Sequence, residues 1–157
     1  MTTKEELVRV ARTYVGMPFR AQGRGVPGNR YATIDCGGLL VCVGEDLNLI
    51  DKNGIPFLRS DYSDRGPQPI RDELLFECNL RLIPKKKSEY GPSDVVTLRA
   101  PNSVAHCGII SNFPKGGGEF GLIFAYPIRG AMKLVETRLD ERWKYRIAGV
   151  FSWPGVE

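Results

Sequence analysis

The most constraining feature of this chain is a cysteine between an acid and two glycines, in Asp35-Cys36-Gly37-Gly38. Apolar residues follow it at the spacing of one helix face: Leu39, Leu40, Val43 and Leu47. Cys36 is therefore expected in the first helical turn, where unpaired N–H groups and the helix dipole favour thiolate over thiol. The two glycines leave room for a substrate carbonyl beside the sulfur. Two interpretations stay open, a nucleophile or a small core residue.

The single histidine of the chain supports the first interpretation. His106 lies within Val104–Ile110, an apolar and β-branched run that predicts a strand. A cysteine at a helix start and a histidine on a later strand form a candidate thiol–imidazole pair for nucleophilic catalysis.

Several segments, in chain order, resemble motifs of the NlpC-type cell-wall peptidases. They are Tyr14-Val15-Gly16-Met17-Pro18-Phe19, Asp35-Cys36-Gly37-Gly38-Leu39, Gly91-Pro92-Ser93-Asp94-Val95-Val96 and His106-Cys107-Gly108-Ile109. The final segment, Arg146-Ile147-Ala148-Gly149-Val150-Phe151, is similar to the last strand of the phage-tail and gene-transfer-agent branch. This resemblance runs over nearly the whole chain.

The resemblance implies one α+β papain-like domain over residues 1–157, with N-terminal helices packed on a small antiparallel sheet. It also implies a cysteine hydrolase of peptidoglycan stem peptides, acting at the bond from γ-D-glutamyl to the diamino acid. The expected setting is a phage tail or tail-like particle, with other tail-tip or hub proteins as partners. The alternative is a structural tail-tip protein that keeps the fold with weak or no catalysis.

Composition narrows the other possibilities. The chain is 42% hydrophobic and 25% charged, as in an ordinary globular domain, and has no apolar run of the ~20 residues that span a membrane. The N-terminus lacks the pattern of a signal peptide, so we expect synthesis in the cytoplasm and delivery in a particle. The only basic cluster, Lys85-Lys86-Lys87, has no interleaved aromatic residues, and nucleic acid is not an expected partner. The cysteines lack metal-ligand spacing, so neither a metal nor another cofactor is expected.

Periodicity predicts helices first and antiparallel strands second. The helices are expected over Thr3–Tyr14, from Cys36 to about Asn48, and over Ile70–Leu80, with an irregular, lid-like segment at 51–69. The strands are expected over Val95–Arg99, Val104–Asn112, Phe120–Tyr126, Lys133–Thr137 and Tyr145–Ser152. The three other cysteines, Cys42, Cys78 and Cys107, are expected in the core.

The chain departs from the family pattern at the third catalytic position. The family places a polar residue, usually His, where this sequence has Phe124, which forms no side-chain hydrogen bond. Strand pairing is expected to place Phe124 or Tyr126 opposite or diagonal to His106. Tyr126 is therefore the candidate third catalytic residue through its hydroxyl; packing alone is the other interpretation.

Candidate substrate-binding residues are Asp35, Gly37 and Phe19. Gly37 and Phe19 stand where the family usually has Ser and Tyr, so two hydroxyl groups are missing. In the family, the residue matching Asp35 helps recognise the free amino end of the stem peptide. Here Asp35 is expected either to do so or to cap the Cys36 helix.

Overall fold

The computed structural model describes residues 1–60, 73–100, 103–113, 118–128 and 131–157. Within these ranges the helices are α1 (Lys4–Arg12), α2 (Cys36–Asp46), α3 (Glu73–Arg81) and α4 (Glu141–Arg146). The strands are β1 (Ile83–Lys85), β2 (Val95–Ala100), β3 (Ser103–Ser111), β4 (Gly121–Ile128), β5 (Ala131–Arg138) and β6 (Ile147–Ser152). No helix of this described part is long and apolar enough to cross a membrane.

The strands of the described residues form one sheet in the order β1-β6-β2-β3-β4-β5. All of its pairings are antiparallel. Helices α1, α2 and α3 precede all the strands of this sheet in the chain, which confirms the predicted α+β class.

Apolar side chains bury both faces of the sheet. The main core lies under α1, α2 and α3 and includes Leu7, Leu39, Val43, Ile109 and Ile123. A second core lies on the other face of the sheet and includes Trp143 of α4. Its strand residues point away from the main core and include Leu98, Ile110, Leu122, Phe124 and Ile147. Alternation along each strand explains the division, since neighbouring residues such as Leu122 and Ile123 face opposite sides.

The first helix forms where its sequence predicted. Thr3 is its N-cap, and the Thr3 hydroxyl accepts a hydrogen bond from the Glu6 backbone N–H at 3.1 Å. Leu7 and Ala11 on its inner face are buried, as is Tyr14 just beyond it. The chain then joins the edge of β5, where Phe19 N–H donates to the Met132 carbonyl at 2.9 Å.

Two elements differ from the sequence prediction. The predicted strand Tyr145–Ser152 is wrong at its start, because Asp140 caps a helix that continues through Arg146 before β6 begins. The short strand β1 was not predicted; it contains Pro84 and, among the described strands, pairs with β6 alone. Residues 61–72, 101–102, 114–117 and 129–130 lie outside the described residues. Some predicted elements are therefore described only in part: the segment 51–69, the start of the third helix and three of the turns.

Candidate active site

Asp35 fixes where the cysteine helix begins. Its backbone is extended (φ −109°, ψ −179°), and its Oδ1 accepts a hydrogen bond from Gly38 N–H at 2.5 Å. Helix α2 therefore starts at Cys36, and the predicted position of the cysteine in the first turn is confirmed. Within the described residues, the backbone N–H groups of Cys36 and Gly37 donate no hydrogen bond to another part of the chain.

The glycine-rich loop before α2 is tied to the same carboxylate. Arg24 Nη1 donates to Asp35 Oδ1 at 2.8 Å, and Gln22 N–H donates to Asp35 Oδ2 at 2.6 Å. Both oxygens of Asp35 are thus engaged by the chain itself. The capping role is present in the structure, whereas recognition of a substrate amine by Asp35 stays a prediction.

The two glycines after Cys36 have different surroundings. A Cβ at position 38 would overlap the carbonyl oxygen of Gly23 and lie only 2.8 Å from Arg24 Nη1. A Cβ at position 37 would have Asp35 Oδ1 as its only neighbour within 4 Å, at 3.7 Å. Gly38 therefore allows the loop to pack against α2, while the space above Gly37 is open. This open side is where a substrate can approach, although binding at Gly37 stays a prediction.

His106 meets the cysteine from β3. Its Nδ1 lies 3.9 Å from the Sγ of Cys36, and its ring is partly buried. The pairing of β2 with β3 shifts register just beyond the Leu98–His106 pair. The structure thus brings together the two residues that the sequence analysis paired.

The electrostatics of the pair favour an ion pair. The neighbouring Cys107 thiol, and then the imidazole of His106, hold the pKa of Cys36 well below its ordinary value despite burial. The hydrogen bond to Cys36 raises the pKa of His106, while burial and the nearby Arg146 charge oppose this rise. A thiolate beside an imidazolium is the form that attacks carbonyl carbon.

The position predicted for a third catalytic residue lies in an aromatic cluster. Gly108 pairs with Phe124, and the same register continued along β4 aligns Tyr126 with His106. Phe124 is 1% exposed and packs against Trp143 at 4.7 Å between ring centroids. Tyr126 is partly buried, with its ring 5.6 Å from that of Trp143. Within the described residues, no hydrogen bond joins Tyr126 to His106, so its catalytic role stays a prediction.

Phe19 lies in the segment that follows α1 and packs against the main core, not against this aromatic cluster. Its side chain is partly buried against the main core, and its backbone bridges to Ile34, just before the cysteine helix. This bridge ties the segment around Phe19 to the residues just before the cysteine helix. Contact between its ring and a substrate stays a prediction.

Sequence reasoning assigned Cys107 to the core and did not single out Arg146. Cys107 is indeed fully buried, and its thiol also lowers the pKa of Cys36. Arg146 comes near His106 because α4 ends at this residue, one position before the Ile147–Leu98 pair. The alternation of β3 signalled the placement of Cys107, whereas only the missed helix α4 could have signalled Arg146. The described residues contain no group of three or more His, Cys, Asp or Glu side chains arranged to hold a metal ion.

Comparisons with known proteins bear on the fold. No protein-family model matches the sequence, and no curated protein sequence matches it. Among solved structures, the crystal structure of the NlpC/p60 domain of the peptidoglycan hydrolase SagA is similar, with a TM-score of 0.52 at 16% identity. The match covers 96% of this chain and 99% of that domain. The chain therefore has the α+β, papain-like fold of an NlpC/p60 domain.

Proposed function

We propose that this chain is a cysteine hydrolase that cleaves peptidoglycan stem peptides. The observation that carries the proposal is the Cys36–His106 pair, 3.9 Å apart at the first turn of a buried helix. The similar domain belongs to a protein described as a peptidoglycan hydrolase, which supports this substrate class.

The proposed reaction begins with the Cys36 thiolate attacking the carbonyl carbon of a peptide bond. The developing oxyanion accepts a hydrogen bond from the Cys36 backbone N–H at the helix start, a donor left unused within the described residues. His106, as imidazolium, then protonates the leaving amine, and a thioester to Cys36 remains. Water, deprotonated by the now neutral His106, hydrolyses the thioester and regenerates the pair.

The finer assignment is the bond from γ-D-glutamyl to the diamino acid, in a phage tail or tail-like particle. The sequence resemblance supports both parts: the cysteine and histidine motifs for the bond, and Arg146–Phe151 for the particle. Mass spectrometry of purified particles tests the location, since the protein is expected among the tail proteins.

A structural tail-tip protein is the second candidate function. Phe124 favours it, because a buried aromatic ring occupies the position where the family usually has a polar residue that orients the imidazole. A protein of this kind would keep the fold without turnover.

Mass spectrometry of peptidoglycan fragments separates the two functions. Purified peptidoglycan is incubated with wild type, Cys36→Ala and the control Cys42→Ala, whose thiol is buried farther along the same helix. The proposal predicts new stem-peptide fragments with wild type and Cys42→Ala, and none with Cys36→Ala. Fragment masses identify the bond. Intact peptidoglycan after incubation with folded wild type would favour the structural function.

A further inference from the structure

We propose that the pocket between the turn after α1 and the loop before α2 is a subsite for a carboxylate group of the stem peptide, with Arg30 as the residue that pairs with this carboxylate. The inference rests on the proposed function, because it gives the same substrate a further binding position. The candidate binding residues Asp35, Gly37 and Phe19 do not line this pocket.

The pocket is lined by two stretches of chain. One wall consists of residues 13–18, and the other consists of residues 27–30 together with Ala32. Each wall turns at a glycine in the left-handed region, Gly16 (φ +94°) and Gly28 (φ +90°). The volume of the pocket is about 330 Å³, and small-ligand sites typically have about 300–1,000 Å³. The pocket can therefore accommodate part of a short peptide.

The pocket lies beside the segment that leads to the nucleophile. Ile34 N–H donates a hydrogen bond at 3.0 Å to the carbonyl of Pro18, a residue of the pocket wall. Ile34 comes two positions before Cys36, and two residues of chain span at most about 7 Å. A stem peptide of four residues is about 14 Å long when extended. Such a peptide can therefore place its scissile bond at Cys36 and one of its carboxylates in the pocket.

The charge of the pocket suits an anionic group. Among the described residues that line it, Arg30 alone is charged. The sequence has no acidic residue from position 7 to position 34, a stretch that contains five arginines. This excess of positive charge favours an anionic ligand. Stem peptides supply one, because a γ-linked D-glutamyl residue leaves its α-carboxylate free.

The guanidinium of Arg30 is held in place by its neighbour. It lies over the exposed ring of Tyr31, 4.7 Å from the ring centroid, and its Nη2 donates a hydrogen bond to the Tyr31 hydroxyl. No carboxylate of the described residues forms an ion pair with Arg30. The remaining guanidinium N–H groups can bind a carboxylate through two parallel hydrogen bonds.

The same wall offers two further donors. The backbone N–H groups of Gly28 and Arg30 donate no hydrogen bond to another part of the described chain. Backbone N–H groups bind carboxylates well, because a charged acceptor strengthens the hydrogen bond.

The test is a binding measurement by isothermal titration calorimetry in the Cys36→Ala background, which prevents hydrolysis. The probe is the synthetic tetrapeptide L-Ala-γ-D-Glu-diaminopimelate-D-Ala, used as the free acid and with all its carboxyl groups amidated. Arg30→Gln removes the charge, whereas Arg30→Lys keeps the charge without the planar fork. Arg9→Gln is the matched control, because Arg9 is also exposed but lies on α1, outside the pocket. Circular dichroism checks that each variant folds.

Arg30→Gln is expected to weaken binding of the free acid about tenfold and to leave binding of the full amide unchanged. Arg30→Lys is expected to bind with intermediate affinity, and Arg9→Gln to match the parent. Peptides amidated at a single carboxyl group identify the carboxylate that enters the pocket, since that amide loses the dependence on Arg30.

Equal losses for the acid and the full amide in Arg30→Gln overturn the inference. An Arg30→Gln protein that binds the acid as tightly as the parent does so as well, as does a folded parent that does not bind the acid.

Hydrolysis of the free acid by proteins that retain Cys36 separates this inference from the proposed function. The inference predicts a KM about tenfold higher for Arg30→Gln with kcat nearly unchanged, because the contact lies away from the reacting atoms. Wild type without hydrolysis, together with binding that depends on Arg30, would overturn the proposed function and support the subsite. Active wild type with binding that does not depend on Arg30 would overturn the subsite alone.

Discussion

The adjacent glycines of α2 give a matched pair of substitutions, Gly38→Ala and Gly37→Ala. At position 38 the new methyl group overlaps a backbone carbonyl oxygen and also lies 2.8 Å from Arg24 Nη1 and 2.9 Å from Asp35 Oδ1. Backbone cannot move aside as a flexible side chain can, so either the loop or the helix start must shift. At position 37 the nearest atom is 3.7 Å away, an ordinary van der Waals distance.

The two substitutions are expected to change the free energy of unfolding differently. Overpacking costs about 1–3 kcal/mol, and a disturbed Asp35 cap adds about 0.5–2 kcal/mol. Replacing glycine by alanine within a helix stabilises the protein by about 0.5–1 kcal/mol. We therefore expect Gly38→Ala to destabilise the protein by roughly 1–4 kcal/mol, and Gly37→Ala to be neutral or slightly stabilising.

Thermal unfolding and hydrolysis measure these effects. For a domain of this size, each 1 kcal/mol lowers Tm by about 2–4 °C. Folded Gly38→Ala is also expected to lose about 10–100-fold in kcat/KM, because displacement of the helix start moves the Cys36 sulfur. A wild-type Tm for Gly38→Ala would refute the packing of the loop against α2. An equal fall of Tm in Gly37→Ala would refute it as well.

Three further predictions follow from the site. Phe124→His is expected to speed hydrolysis, because it gives His106 a polar neighbour; a turnover assay measures this. It is also expected to lower the free energy of unfolding by about 2–4 kcal/mol, because it disrupts the packing on Trp143; an unfolding assay measures this. The pH profile of kcat/KM is expected to be bell-shaped. Activity rises as Cys36, with its lowered pKa, ionises, and falls as His106 deprotonates above its ordinary value of 6.5; a profile that only rises would contradict the ion pair. A chelator is expected to leave hydrolysis unchanged, and inhibition reversed by zinc would contradict metal-free catalysis.

The sequence predicted the two elements that carry Cys36 and His106. Helical spacing after Cys36 and the β-branched run around His106 are strong local patterns, and both elements form as expected. Local patterns also predicted the strand order in the chain, although three-residue β1 was too short to give a periodic signal. The predicted start of the last strand was wrong, because the Asp140 cap and the buried Trp143 favour a helix before β6.

The contacts around the pair could be predicted only in part. The β3–β4 register was narrowed to two possibilities, and the pairing of Gly108 with Phe124 selects the one that aligns Tyr126 with His106. Which helix covers which face of a strand is a tertiary property, so the sequence could not place Cys107 in the same buried cluster as Cys36. The two roles considered for Asp35 could not be separated either, because its partners Arg24 and Gln22 come from a loop without periodicity.

Site-resolved labelling of the four cysteines with iodoacetamide at pH 6.5 tests the central claim most directly. Cys36, Cys42, Cys78 and Cys107 are all buried, at 5%, 0%, 3% and 0% exposure, so large differences in rate report mainly on thiolate content. Burial raises the pKa of Cys42 to about 11 and that of Cys78 to about 12. We expect Cys36 to react at least about tenfold faster than the others, and to lose this advantage in His106→Gln. Four equally slow thiols in folded wild type, or a Cys36 rate unaffected by His106→Gln, would contradict an imidazole-activated nucleophile.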